Sequence, residues 1–132
     1  MKKLLKIALL FVALLTAQQM MAQSKDVMTK DADGTYVVNT KTLAPKVIGY
    51  RGATPLNIYI KNDKVEKIEA QKNQETPKYF ALIKKELLGK WNGKKVSKAI
   101  KMKVDGVTGA TMSSDAVKEN VKKGLEYYQK NK

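Results

Sequence analysis

A chain of 132 residues without cysteine or histidine is long enough for one domain. It lacks the side chains for a disulfide, a lipid-modified cysteine, an iron–sulfur cluster, thiol catalysis, a Ser-His triad or a histidine metal site. Its formal charge of +14 comes from 26 basic and 12 acidic residues, and Arg51 is the sole arginine. Base readout and bidentate phosphate clamping favour arginine's planar fork, and the lysines are spread along the chain, so the charge reads as a solvated basic surface rather than a nucleic-acid footprint. Any redox or bond-breaking chemistry must take its reactive atoms from a cofactor.

The first residues have the layout of a secretory signal peptide: Lys2, Lys3 and Lys6, a short apolar run from Ile7 to Leu15, then a polar stretch ending at Met20-Met21-Ala22-Gln23. Residues 1–22 are therefore predicted to be removed on export, which places the mature protein on the periplasmic or extracellular side of a bacterial membrane. The alternative is an uncleaved N-terminal anchor. Residues 23–45 form a lead-in, with Ser24 to Asp33 polar, and the domain proper spans 46–132.

Gly34 to Val38 is rich in β-formers and predicts a first short strand, with Lys46 to Tyr50 a second. Leu56, Ile58 and Ile60 alternate with polar or amphipathic neighbours, the period of a half-buried strand. Asn62-Asp63 is a two-residue turn, because both residues tolerate positive φ, and Val65 to Ala70 returns as the hairpin partner. Thr76-Pro77 opens a helix with Thr76 at the N-cap. Tyr79, Leu82, Ile83, Glu86 and Leu87 share one face, and Gly89 stands where the helix should stop. Trp91-Asn-Gly93 is a turn. Ile100, Met102 and Val104 alternate with lysines and predict a strand running into Asp105. Val117, Val121, Leu125 and Tyr128 form the stripe of a C-terminal helix, capped by Ser113, Ser114 or Asp115. The order predicts an α+β domain: a small antiparallel sheet with a central hairpin, packed against two helices.

The segment joining that last strand to that last helix, Asp105-Gly-Val-Thr108-Gly109-Ala110-Thr111-Met-Ser113-Ser114, holds the candidate chemistry. A helix N-terminus offers unpaired N–H groups and partial positive charge. Gly106, Gly109 and Ala110 permit close backbone approach, and four hydroxyls are at hand. On these grounds it is either a phosphate-binding loop or a plain capped junction.

The same segment resembles the flavin-attachment motif of the FMN-binding domain family, which includes the extracytoplasmic flavin subunits of sodium-pumping NADH:quinone reductase and of the Rnf electron-transport complex. Gly49-Tyr50-Arg-Gly52 and Asn73-Gln-Glu75-Thr76-Pro77 resemble that family's glycine-started hairpin and its Glu-Thr-Pro segment, although Lys78-Tyr79-Phe80 replaces the glycine-containing loop that often follows.

The resemblance implies an exported electron-transfer flavoprotein with FMN held by a phosphoester on Thr111. A flavin transferase using FAD and Mg²⁺ would attach it, and a membrane or periplasmic protein would be the redox partner. Asp105, Thr108, Gly109, Ala110, Ser113 and Ser114 would surround the phosphate, and Thr76 and Glu75 would lie beside the flavin ring. Asp105 would organise either a metal during transfer or only its own turn. Tyr79, Phe80 and Trp91 are aromatic side chains for stacking or for the core, with the core favoured by their helical spacing. The competing function is an unmodified basic module of the same fold that holds an anionic partner.

Overall fold

The computed structural model describes residues 27–132; the expected leader lies outside them. Four strands run in chain order as one antiparallel sheet: β1 Met28–Lys30, β2 Tyr36–Asn39, β3 Leu56–Lys61 and β4 Lys64–Ala70. Helix α1 covers Pro77–Glu86, a 3-10 turn covers Leu88–Trp91, one turn of helix α2 covers Val96–Ala99, and α3 runs from Thr111 to Asn131. The α+β architecture is thus the one the sequence predicts.

The central hairpin follows the chemistry of its turn. Asn62 and Asp63 adopt φ of 52° and 63°, the left-handed pair that matches the twist of two antiparallel strands. Leu56, Ile58 and Ile60 are buried on the inner face of β3. On β4 the inner residues Val65 and Ile68 are three apart, a spacing that would put them on opposite faces of a regular strand. Tyr59 pairs with Lys67 and Ile60 with Val65, so Glu66 is an extra residue, and that bulge turns both side chains inward. Helix α3 lays Val117, Val121, Leu125 and Tyr128 on this face, and α1 adds Phe80 and Ile83.

Helix α3 comes close to the sheet at Gly124, where a Cβ would lie 2.5 Å from Ile58 Cδ1 and 3.0 Å from Thr40 Cγ2. Beside it a buried polar cluster fixes the register. The Thr40 hydroxyl donates to Asn120 Oδ1 at 2.7 Å and accepts the Leu56 N–H at 2.9 Å. Asn120 Nδ2 donates to Thr54 Oγ1 and to the Ala116 carbonyl. Every buried side-chain polar atom among the described residues has a partner, as a dry core requires.

Several elements differ from the sequence-based expectation. β1 lies inside the stretch read as a lead-in: Met28, Thr29 and Lys30 form an edge strand on β2 without apolar alternation. The Gly34–Val38 strand starts two residues later, because Asp31 to Gly34 forms a turn with Gly34 at φ +90°. Lys46 to Tyr50 makes only the single bridge Ile48–Ala53, closed by the Gly49 N–H to Gly52 carbonyl bond. No strand forms at 100–104. Ile100, Met102 and Val104 do pack against the core, but alternation needs a neighbouring strand to become a ladder, and at the start of β4 Lys64 and Val65 pair with Gly93 to Lys95 instead. The α1 stripe is rotated: Phe80, Ile83 and Leu87 are buried, whereas Tyr79 is 47% exposed.

Candidate functional site

Three segments meet around a cleft of about 400 Å³: the turn carrying Tyr50, the start of α1 with Thr76 and Tyr79, and Gly109 to Ser113 leading into α3. The volume lies in the range of small-molecule sites.

Helix α3 begins earlier than its hydroxyls suggest. Ala110 is at the N-cap and Thr111 is the first helical residue, so Ser113, Ser114 and Asp115 fall in the first turns and none of them caps the helix. The first intrahelical bond is Ser114 N–H to the Ala110 carbonyl, 2.9 Å, which leaves the N–H groups of Thr111, Met112 and Ser113 without an intrahelical acceptor.

The hydroxyls divide by their commitments. Ser114 Oγ accepts the Val107 N–H at 2.9 Å, tying the preceding loop to the helix. Ser113 Oγ donates to Glu75 Oε1 at 2.9 Å. Thr111 is exposed, lines the cleft and, among the described residues, has no hydrogen bond to its hydroxyl. It stands where unpaired N–H groups and the positive end of a 21-residue helix favour an anion.

The two loop glycines serve different needs. At Gly106 a Cβ would meet Ser114 Cβ at 3.1 Å, so its smallness admits the packing of loop on helix rather than a ligand. At Gly109 the surrounding space is open and φ is +86°, a conformation that favours glycine.

Glu75 is 5% exposed and does not line the cleft. Its Oε1 accepts the Tyr50 N–H at 2.8 Å and its Oε2 the Arg51 N–H at 2.7 Å, in addition to the Ser113 bond. Thr76, half-buried at the N-cap of α1, lines the cleft but makes no side-chain cap; its carbonyl receives the N–H groups of Tyr79 and Phe80.

The structure thus brings Thr76, Gly109, Ala110, Thr111 and Ser113 together at the cleft and sets Glu75 and Ser114 behind it. Thr108 and Asp105 are exposed and do not line it; Asp105 borders a separate groove with Asp115 and Lys118. Of the aromatic candidates, Phe80 and Trp91 are core residues and Tyr79 faces the cleft. Sequence reading missed Tyr50, 68% exposed at the cleft; its place in a turn closed by two glycines was the available signal. Also missed was Met112, 56% exposed on the first turn of α3. No group of three or more potential metal ligands occurs among the described residues.

A small-residue loop, a free hydroxyl, unpaired N–H donors at a helix start and two exposed tyrosines suit a flavin mononucleotide: the donors fit its phosphate and the aromatic rings its isoalloxazine. They mark a small α+β domain whose cleft suits a ligand with a phosphate and a flat ring. The sequence model of the FMN-binding domain matches residues 49–126, more than half of the chain, and the protein belongs to that family. Searches of curated proteins and of solved structures found no match.

Proposed function

We propose that this protein is an exported electron carrier that holds FMN covalently through a phosphoester on Thr111. The observation that carries the proposal is the difference among neighbouring hydroxyls: those of Ser113 and Ser114 are engaged within the fold, while that of Thr111, which lines the cleft, has no hydrogen bond among the described residues. A flavin transferase using FAD and Mg²⁺ is the modifying partner. Thr111 Oγ is the nucleophile: it bonds to the phosphorus on the FMN side of FAD, the phosphoanhydride breaks, AMP leaves, and the hydroxyl proton passes to a base outside this chain.

When bound, FMN supplies the electron-accepting chemistry that no side chain here provides. The chain's own residues bind and orient. The N–H groups of Thr111, Met112 and Ser113 hold the phosphate, and Gly109 and Ala110 keep the approach clear. Tyr50 and Tyr79 offer ring faces, and Thr76 offers a hydroxyl beside them. The net positive charge favours an electron-rich ring and an acidic redox partner at the membrane or in the periplasm.

The test is intact-mass analysis and peptide mapping after co-expression with a flavin transferase. Thr111→Ala should lose the FMN mass while melting like the parent, because an exposed hydroxyl contributes little to the core. Thr111→Ser should retain some label, and Thr108→Ala, outside the cleft, should load close to the parent. Flavin on Thr108 or Ser113, or full labelling of Thr111→Ala, would overturn the assignment.

A further inference from the structure

Glu75 is buried next to the cleft without touching it, and its carboxylate bonds to residues on two different walls. Tyr50 N–H and Arg51 N–H belong to the Gly49–Gly52 turn; Ser113 Oγ belongs to the first turn of α3, two residues past Thr111. Gly49 packs so closely on this group that any Cβ there would collide with Glu75 Oε1 and come within 3.3 Å of Ser113 Cα. The backbone of Glu75 is held by Asn73, whose Oδ1 accepts the Glu75 main-chain N–H at 3.0 Å. The backbone of Glu75 runs straight into Thr76 and α1, the third wall.

We infer that Glu75 is a positioning residue: its carboxylate fastens the Tyr50 turn to the start of α3 and so sets the width of the cleft between Tyr50 and Thr111. Three donors converge on two oxygens, and only a carboxylate can accept from all three without rotating. Tyr50 is two-thirds exposed, so its position at the cleft follows from the anchored backbone beneath it. The inference rests on the flavin reading for its purpose, and on geometry alone for the latch.

Glu75→Gln tests it, because the amide keeps the size but presents an N–H₂ to at least one of the three donors. In the unmodified full chain, amide hydrogen exchange at Tyr50 or Arg51 should speed up about tenfold, the factor for losing one typical net hydrogen bond, while the β3 and β4 amides keep their protection. In the flavin-loaded chain, iodide should quench the flavin more readily in Glu75→Gln than in the parent, and the visible circular dichroism of the flavin should weaken. A purely structural role elsewhere in the fold would move neither flavin signal. Ser113→Ala removes only the bond to α3, and serves if Glu75→Gln does not fold. It should raise iodide quenching while leaving Tyr50 and Arg51 exchange as in the parent. Unchanged exchange and unchanged quenching in a folded Glu75→Gln, or parental quenching in Ser113→Ala, would refute the latch. If the parent takes up no flavin, the proposed function fails, while the exchange measurement still judges the latch by itself.

Discussion

Two glycines in the turn that carries Tyr50 should respond oppositely to the same substitution. At Gly49 an alanine Cβ would overlap the Glu75 carboxylate, whereas at Gly52 nothing lies within 4 Å. Neither glycine has a positive φ, so the difference is one of space and not of backbone conformation. To admit the methyl group at Gly49 the carboxylate must leave. Tyr50 N–H, Arg51 N–H and the Ser113 hydroxyl then lose their acceptor, at about 1 to 1.5 kcal/mol net for each bond. Replacing glycine by alanine returns about 0.4 to 1 kcal/mol by restricting the unfolded chain. The balance for Gly49→Ala is a loss of about 2 to 4 kcal/mol, from the bonds the methyl displaces less that return. Gly52→Ala has only the favourable unfolded-state effect and should be neutral or stabilising by up to about 1 kcal/mol. Urea titration followed by far-ultraviolet circular dichroism, with the slopes compared as well as the midpoints, measures both. If the two variants unfold within about 0.5 kcal/mol of each other, the scatter expected of ordinary surface changes, the close packing of Gly49 on Glu75 is refuted.

Further outcomes follow from other parts of the fold. Leu125, fully buried on α3, should cost about 2 to 4 kcal/mol when truncated to alanine, and flavin loading at Thr111 should fall with it; a parental melting curve would refute the packing of that helix face. Tyr128 is held protonated by burial and by its hydrogen bond to Asp63, which push its pKa from 10.0 up to about 12. A raised folded-state value stabilises the fold below the unfolded pKa and is lost as pH climbs through the folded one, so stability should drop between about pH 10 and 12 and Tyr128→Phe should flatten that drop. Export predicts a mature N-terminus near Ala22-Gln23, and N-terminal sequencing that found Met1 intact in the exported fraction would count against it.

Where sequence and structure agree, a local rule had no competitor. Asn62-Asp63 and the Leu56, Ile58, Ile60 alternation specify a hairpin by themselves, and Thr76-Pro77 opens α1 as expected. The discrepancies come from partners far along the chain. The apolar alternation at 100–104 marks which side chains face the core but not whether a strand lies alongside to bond with. β1 is the converse: its pairing with β2 makes a strand of polar residues that carry no periodic signal. At the site, the loop motif singled out Thr111, which lines the cleft, but the fate of the flanking hydroxyls was not local. Ser113 is claimed by a residue 38 positions earlier and Ser114 by the loop it follows, and no capping rule contains either contact. Tyr50 was hidden for the same reason, since the bond from its N–H goes to Glu75, 25 residues on.

The side chains that line the cleft are largely not those that hold the molecule together. Tyr50, Tyr79, Thr111 and Met112 are exposed, whereas the fully buried set is drawn from the strands, the inner faces of α1 and α3, and the segment between those helices. Substitutions at these four positions can therefore change what the cleft accepts, or how firmly it grips, at a stability cost within the roughly 0.5 kcal/mol of ordinary surface changes. The scaffold can accumulate variation in binding properties without first gaining stability to offset it, and Glu75 with Gly49 marks the boundary where that freedom ends.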